Sequence, residues 1–420
     1  MLEPSQIRTH FPALGRTHNG MPLVYFDGPG GTQVTKSCID AMVDYLSRCN
    51  ANHGGAFVTA VESDQILAEA HEGMADFLNA QSSGEVHFGQ NMTSLTFAMS
   101  RAIGKTLETG GNIILTTLDH DANFSPWKLM AQDRGLGVRV IDFDHADCTL
   151  KLDEFESLLD PDTRLVAIGY ASNAVGTINP VKQIISRAKQ VGALTFVDAV
   201  HYAPHGPIDV QELGCDFLVC SPYKFFAPHL GAMYGRQRVL EKLPAYKVRP
   251  ADTHLPSKFE TGTQSHESIA GLAGTLRYLE WLGQTYGEPG AGGKWRSPRA
   301  AVLHAAMRAI QEYEGQLKAR MLDGLLALPR THVYGITGHD RLNERVPTFA
   351  IRIDGRLPLE VAQYLAERGI CVWSGNYYAL NLTERLGFED SGGMVRIGLA
   401  HYNTSEEVDR MLADLREFVA

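Results

Sequence analysis

Phe217-Leu218-Val219-Cys220-Ser221-Pro222-Tyr223-Lys224-Phe225-Phe226 is an apolar run that stops at Ser-Pro and sets one lysine among aromatic residues. Pro222 biases Ser221 toward extended geometry and cannot donate to a ladder. The pattern predicts a buried strand that runs out into a loop, with Lys224 held at its exit. Lysine is normally solvated. Among Tyr223, Phe225 and Phe226 it is partly desolvated, which disfavours the ammonium form and lowers the pKa. A lysine with a depressed pKa is a nucleophilic amine suited to Schiff-base chemistry. Taken alone, a lysine that snorkels out of an apolar neighbourhood is the simpler reading. The order of other polar residues along the chain reverses that choice.

Upstream of this run, strand-like and helix-like segments alternate. Asn112–Leu115, Val138–Ile141, Leu165–Ile168, Leu194–Val197 and Phe217–Val219 are short and rich in β-branched or aromatic residues. Helical patterns lie between several of them, such as Val181–Val191. Continuous apolar strands separated by helices predict an α/β fold, a mostly parallel sheet covered on both faces. Functional residues in such a sheet belong at the carboxyl ends of strands. Ile66, Leu67, Ala70, Met74, Phe77 and Leu78 fall at helical spacing, with Ser63 as the expected N-cap. Residues 1–30 predict a short helix and an extended entry ending in Asp27-Gly28-Pro29-Gly30-Gly31, where glycines let backbone approach a ligand or a neighbouring chain. The glycines lack the spacing of a dinucleotide fingerprint.

A Pro/Gly-rich stretch, Gly287–Gly293, interrupts the alternation. A long helix is expected from about Pro298 to Leu328. Strands at Thr348–Ile353, Ile370–Trp373 and Met394–Leu399, with helices at Leu359–Arg368 and from Ser405, complete the chain. The boundary this implies lies near residue 285. Residues 1–285 form a large domain, with the N-terminal segment packing near its active site, and residues 286–420 a smaller α+β domain.

The 420 residues are 44% hydrophobic and 20% charged, so a sizeable core is expected and disorder is not. The formal net charge of −10 argues against a nucleic-acid surface or an anionic membrane partner. No run approaches the ~18 apolar residues that span a bilayer. Met1-Leu2-Glu3-Pro4 carries no signal-peptide pattern. The six cysteines, at 38, 49, 148, 215, 220 and 371, show no metal-ligand spacing. They fit a reducing cytoplasm.

Three strand ends carry polar residues. Phe196-Val197-Asp198-Ala199-Val200-His201 puts an acid directly after an apolar run, and a buried carboxylate needs a cationic or hydrogen-bonding partner. Tyr170-Ala171-Ser172-Asn173 and Leu118-Asp119-His120-Asp121 end two others. Singly, each reads as turn or cap chemistry. A turn opening a helix, Gly89-Gln90-Asn91-Met92-Thr93-Ser94, precedes them.

In sequence, the helix-opening turn, His120, Asn173, Asp198 with His201, and Ser221 with Lys224 resemble the class V group of fold-type I enzymes that use pyridoxal 5'-phosphate (PLP). Within that group they resemble the group II cysteine desulfurase-like branch. The resemblance runs over nearly the whole chain. It includes Tyr25-Phe26-Asp27, Asn173-Ala174-Val175-Gly176-Thr177-Ile178-Asn179-Pro180, Phe259-Glu260-Thr261-Gly262-Thr263 and Arg396 with Tyr402-Asn403-Thr404. It implies a seven-stranded-type sheet domain and a smaller α+β domain. Lys224 would hold PLP as an internal aldimine and then shuttle the substrate's Cα proton. Asp198 would pair with the pyridinium nitrogen and keep it protonated. His120 would stack on the ring. Asn173 and His201 would lie near its phenolic oxygen. Met92 and Thr93, at a helix start, would bind the phosphate with Ser221. Thr263 would reach the phosphate of the other subunit, which implies a homodimer. Arg396 would clamp the substrate carboxylate as a bidentate fork. His53 and Tyr378 would complete the substrate side.

The resemblance breaks at two places. Desulfurases of this kind carry a cysteine on a mobile loop that takes sulfur from the substrate. Here the loop aligns with Trp373–Leu380, and Tyr378 stands at the cysteine's position. A family arginine is replaced by Trp373, and the histidine usual before the lysine by Tyr223. Cys371, on the preceding strand, has the setting of an inert thiol. Tyrosine relays protons but forms no persulfide. The expectation is a PLP-dependent enzyme acting on a small amino acid, cleaving a C–S bond after Cα deprotonation. Transamination or epimerisation, and an inactive PLP-binding partner protein, stay open.

Overall fold

The computed structural model describes residues 2–288, 290 and 293–420. Pro289, Ala291 and Gly292 of the predicted Pro/Gly break lie outside them.

The large sheet has seven strands. In spatial order they are Val86–Gly89, Gly231–Gly235, Phe217–Cys220, Leu194–Asp198, Thr163–Gly169, Asn112–Thr116 and Gly137–Ile141. All neighbours are parallel except Gly231–Gly235, which runs antiparallel to both of its partners. Helices cover both faces, which is why the central strands are mostly apolar rather than alternating. Helix Val181–Gln190 shows how the covering works. Val181, Ile184, Ile185 and Ala188 recur at helical spacing and are the buried residues of that helix.

Register brings the site together. Gly169 stands opposite Asp198, and Asp198 opposite Val219. Three parallel strands therefore end at one level, and the residues that follow them, Asn173, His201 and Ser221 to Lys224, collect at one edge of the sheet.

A second, antiparallel sheet orders Thr331–Tyr334, Thr348–Ile353, Met394–Gly398 and Trp373–Gly375. Its central strand places Arg396 between Ala350 and Trp373. The turn that follows the large sheet at Asn173 packs against this sheet at Gly176. That residue has φ +80°, and a Cβ there would lie 2.6 Å from the Thr348 carbonyl oxygen, so both conformation and space require glycine.

Two expectations are corrected. Ile370–Trp373 is not one strand. Ile370–Cys371 pairs in parallel with Val24–Tyr25, and Trp373–Gly375 joins the four-stranded sheet. Ser63 is no cap either. The helix begins at Val58, and Ser63 is buried inside it, 2.9 Å from the Tyr45 hydroxyl and donating to the Ala51 carbonyl. A tertiary partner, not the helix end, explains the serine. Among the described residues no helix is long and apolar enough to cross a membrane.

Candidate active site

A cavity of about 950 Å³ opens where the strand ends meet the second sheet. Met92, Thr93, His120, Asn173, Asp198, His201, Ser221, Lys224, Tyr378 and Arg396 all line it. Ten of the twelve residues singled out from the sequence thus come together. Thr263 and His53 are not among the lining residues of their own chain. Thr263 is exposed, and the His53 ring lies 3.3 Å from Asp64.

Lys224 ends the short turn Pro222–Lys224 that follows Phe217–Cys220. Its Nζ donates to the Pro29 carbonyl and lies 5.0 Å from the Tyr223 ring centre. Burial, helped by the charge of Arg396 and opposed by Asp198 and Asp27, brings its pKa down to about 7. Some of its surface still faces the cavity. A neutral amine is therefore available near pH 7.

Asp198 closes strand Leu194–Asp198. Its Oδ1 accepts the Val200 N–H at 2.9 Å. Burial pushes its pKa up to about 6. Such a carboxylate gains from a cationic N–H partner. Asp27, likewise pushed up to about 6 by burial, has its Oδ1 without a partner.

The His120 Nδ1 accepts the Ala122 N–H at 3.0 Å. That assigns its proton to Nε2. Burial, with the charges of Lys224 and Arg396, holds the ring near 4, so it is neutral at pH 7. The His201 Nε2 is 2.9 Å from the Thr348 hydroxyl. Burial pushes that imidazole well below its ordinary range.

Arg396 is buried. Its Nη1 donates to the Asn173 carbonyl at 2.9 Å, and its guanidinium lies 4.4 Å over the Tyr377 ring. The Asn173 Nδ2 donates to the Tyr377 carbonyl at 2.9 Å. Arg396 Nε and Asn173 Oδ1 have no hydrogen-bond partner among the described residues.

Helix Met92–Gly104 points its N-terminus into the cavity. Asn91 caps it, its Oδ1 accepting the Ser94 N–H at 2.8 Å. The macrodipole and the first N–H groups favour an anion at that end.

The described lining residues include no cysteine. Cys371 is half-buried on its strand, and burial pushes its thiol up to about 11. Tyr378, at the position of the expected loop cysteine, is 72% exposed.

The class-V aminotransferase family model matches residues 24–286 and 300–411. The chain belongs to that family. Among curated relatives, it is 31% identical to a cysteine desulfurase of Serratia proteamaculans, over 98% of this chain and 97% of that one. It is 33% identical to a probable cysteine desulfurase of Mycolicibacterium paratuberculosis, over 99% of this chain and 58% of that one. Its structure superposes on an apo cysteine desulfurase of Thermococcus onnurineus NA1 with a TM-score of 0.88, at 26% identity over 100% of this chain and 98% of that one. A cysteine desulfurase of Escherichia coli gives 0.83 at 24% identity, over 99% and 98%, a likeness of fold. The fold is that of fold-type I PLP enzymes, and the class-V chain is a PLP-dependent, cysteine desulfurase-like enzyme.

The residues present fit that cofactor. An amine of depressed pKa, a buried carboxylate, a helix N-terminus and two unpartnered buried polar atoms face one cavity. They match an aldehyde, a pyridinium N–H, a phosphate and, for the free donor and acceptor respectively, a bound carboxylate and an amine N–H. When bound, PLP withdraws electrons from the substrate's Cα and makes its proton removable.

Three contributors carried no assigned role in the sequence. Asp27 and Pro29 sit beside Lys224 because strand Val24–Tyr25 pairs with Ile370–Cys371, a contact across more than three hundred residues of chain. The Tyr377 carbonyl is a backbone group, which no side-chain pattern reveals.

Proposed function

We propose that this PLP enzyme cleaves the Cβ–S bond of a cysteine-type amino acid by elimination, without passing sulfur to a cysteine of its own. The observation that carries this reading is the tyrosine at position 378 beside a cavity whose described lining includes no thiol. A desulfurase that stores sulfur as a persulfide needs a reactive thiolate within reach of the substrate. Elimination needs only a base at Cα and a leaving group at Cβ.

Lys224 takes the Cα proton with its neutral amine. Arg396 holds the substrate carboxylate through the guanidinium edge that carries the free Nε. Asn173, tied to both Arg396 and the Tyr377 carbonyl, fixes that clamp relative to the loop. Asp198 would pair with the cofactor's ring nitrogen, and His120, neutral, would stack on the ring. Asn173 and His201 would lie near the phenolic oxygen. Met92, Thr93 and Ser221 would hold the phosphate end. The Cβ–S electron pair leaves on sulfur, and water converts the 2-aminoacrylate to pyruvate and ammonia.

The reading includes a cytoplasmic homodimer in which Thr263, and with it His53, serves the cavity of the second copy. The exposure of both residues supports it. It also includes the division near residue 285, supported by the separate sheets built from residues 86–235 and 331–398. No nucleic acid or membrane partner belongs to it.

Product analysis tests the proposal. Sulfide and pyruvate in equal amounts from L-cysteine, or thiol and pyruvate from a thioether amino acid, support elimination. Alanine with protein-bound persulfide would overturn it, as would a keto acid formed only with an amino acceptor.

A further inference from the structure

Two large aromatic side chains stand open at the mouth of the cavity. Trp373 is 53% exposed and Tyr378 72% exposed, and both line it. Loop packing would have buried them, as it buries the neighbouring Tyr377.

The backbone that carries Tyr378 and the indole of Trp373 are both held in place. Tyr377 and Tyr378 have φ of 54° and 60°, a left-handed conformation that non-glycine residues keep only where the surroundings impose it. Here the Asn173 amide holds the Tyr377 carbonyl, and the Asp121 N–H holds the Tyr378 carbonyl at 2.8 Å. The Asn376 Oδ1 accepts the Tyr378 N–H at 3.0 Å. The Trp373 indole lies over Gly30, where a Cβ would stand 2.5 Å from Nε1. Gly30 follows Pro29, whose carbonyl accepts from Lys224, and Trp373 pairs across the sheet with Arg396. The indole is thus fixed beside the groups that would hold the amine and carboxylate of an amino acid.

The mouth selects by charge as well. Phe97, Ala122 and Pro126 add apolar surface, while Asp121 and Glu389 are the acids near it. Among the described lining residues the only lysine or arginine side chains are Lys224 and Arg396, both already engaged. This chain's described lining leaves no further lysine or arginine for a second anionic group. The cavity of about 950 Å³ has to take the cofactor as well as the substrate.

We infer that the substrate is an L-cysteine S-conjugate bearing a neutral aryl or aralkyl group on sulfur, and that this group lies against Trp373 and Tyr378. The inference rests on the C–S cleavage reading above. The chemistry agrees with the missing thiol. Lys224 takes the Cα proton, the Cβ–S pair leaves with the sulfur, and an aryl thiolate carries that charge without a protein nucleophile to accept it.

The test compares S-phenyl-L-cysteine with L-cysteine on the holoenzyme, following thiol or sulfide together with pyruvate. S-phenyl-L-cysteine is expected to have the higher kcat/KM by about tenfold or more, the scale of a pair of aromatic contacts. Trp373→Thr keeps a strand-forming residue, and Tyr378→Asn keeps a residue that tolerates the left-handed backbone. Each is expected to cut the selectivity ratio about threefold, half of the pair's effect in free energy, chiefly through KM. A preference for L-cysteine, or a ratio that survives both substitutions, would overturn the inference. Failure of the C–S reading shows itself differently, as no thiol, sulfide or pyruvate from either compound. In that case titration of the cofactor's absorbance decides. Tighter binding of S-phenyl-L-cysteine that is lost in both variants sustains the aromatic subsite, and equal affinities refute it.

Discussion

The imidazole of His120 lies nearly parallel to the phenol of Tyr378, ring centres 5.4 Å apart and planes 23° apart. The contact ties a strand end of the large sheet to the loop that in desulfurases of this type would carry the reactive cysteine. It also places His120 in a setting that disfavours its cation. Burial comes first, followed by the charges of Lys224 and Arg396. In apo protein its NMR titration should show a midpoint of about 4. A midpoint at the ordinary 6.5 would mean that the ring is solvated and the site open.

The Lys224 amine should react with aldehydes at neutral pH. Its pKa is lowered from 10.5 to about 7, so the neutral form dominates above about 7 instead of only above 10.5. The rate of PLP uptake by apo protein is expected to rise with pH and level off just above neutrality. A rate still climbing at pH 9 would contradict the lowered pKa. Lys224→Ala should abolish the covalent adduct and lower turnover by about 10²–10⁴-fold, the usual worth of a positioned acid–base group.

Arg396→Lys keeps the charge but loses the planar fork, the Asn173 contact and the face held on Tyr377. KM for the amino acid should rise about 10–100-fold, on the scale of one charge-assisted hydrogen bond. Steady-state kinetics with unchanged KM would remove Arg396 from the carboxylate site.

A buried pair outside the cavity should govern the acid side of the stability profile. The His71 Nε2 lies 2.8 Å from the Glu260 Oε1, which also accepts the Phe88 N–H at 2.7 Å. Burial alone would lower the histidine's pKa, but the bond to Glu260 more than offsets it and the pKa rises. For Glu260 burial raises and the bond to His71 lowers, with a net fall. The raised histidine contributes stability below its unfolded value of 6.5, lost as pH climbs through the folded one. The lowered glutamate contributes above its unfolded value of 4.5, lost as pH falls through the folded one. The pair therefore stabilises most between 4.5 and 6.5. Urea unfolding at about pH 5.5 should find Glu260→Gln destabilised by about 3 kcal/mol, since one partner of a buried pair is removed. Equal loss at pH 9 would show that charge plays no part.

Much of this was legible in the sequence, for a physical reason. Strands such as Leu194–Asp198 are buried on both faces and so are mostly apolar, which makes the aspartate at the end conspicuous. The same contrast exposes Lys224 and Asn173. What stayed hidden depends on distant partners. Ser63 looks like a cap until the Tyr45 hydroxyl is seen beside it. Ile370–Trp373 reads as one strand because both pieces are extended, while their ladders belong to different sheets. Whether Trp373 and Tyr378 pack or stand free is a matter of surroundings, and the residue types are the same in either case.

The most direct test is the intact mass of the holoenzyme during turnover with L-cysteine, read alongside the products. The expected result is sulfide and pyruvate with the protein's mass unchanged. Protein heavier by a sulfur atom, formed together with alanine, would contradict elimination and restore a persulfide route through one of the six cysteines.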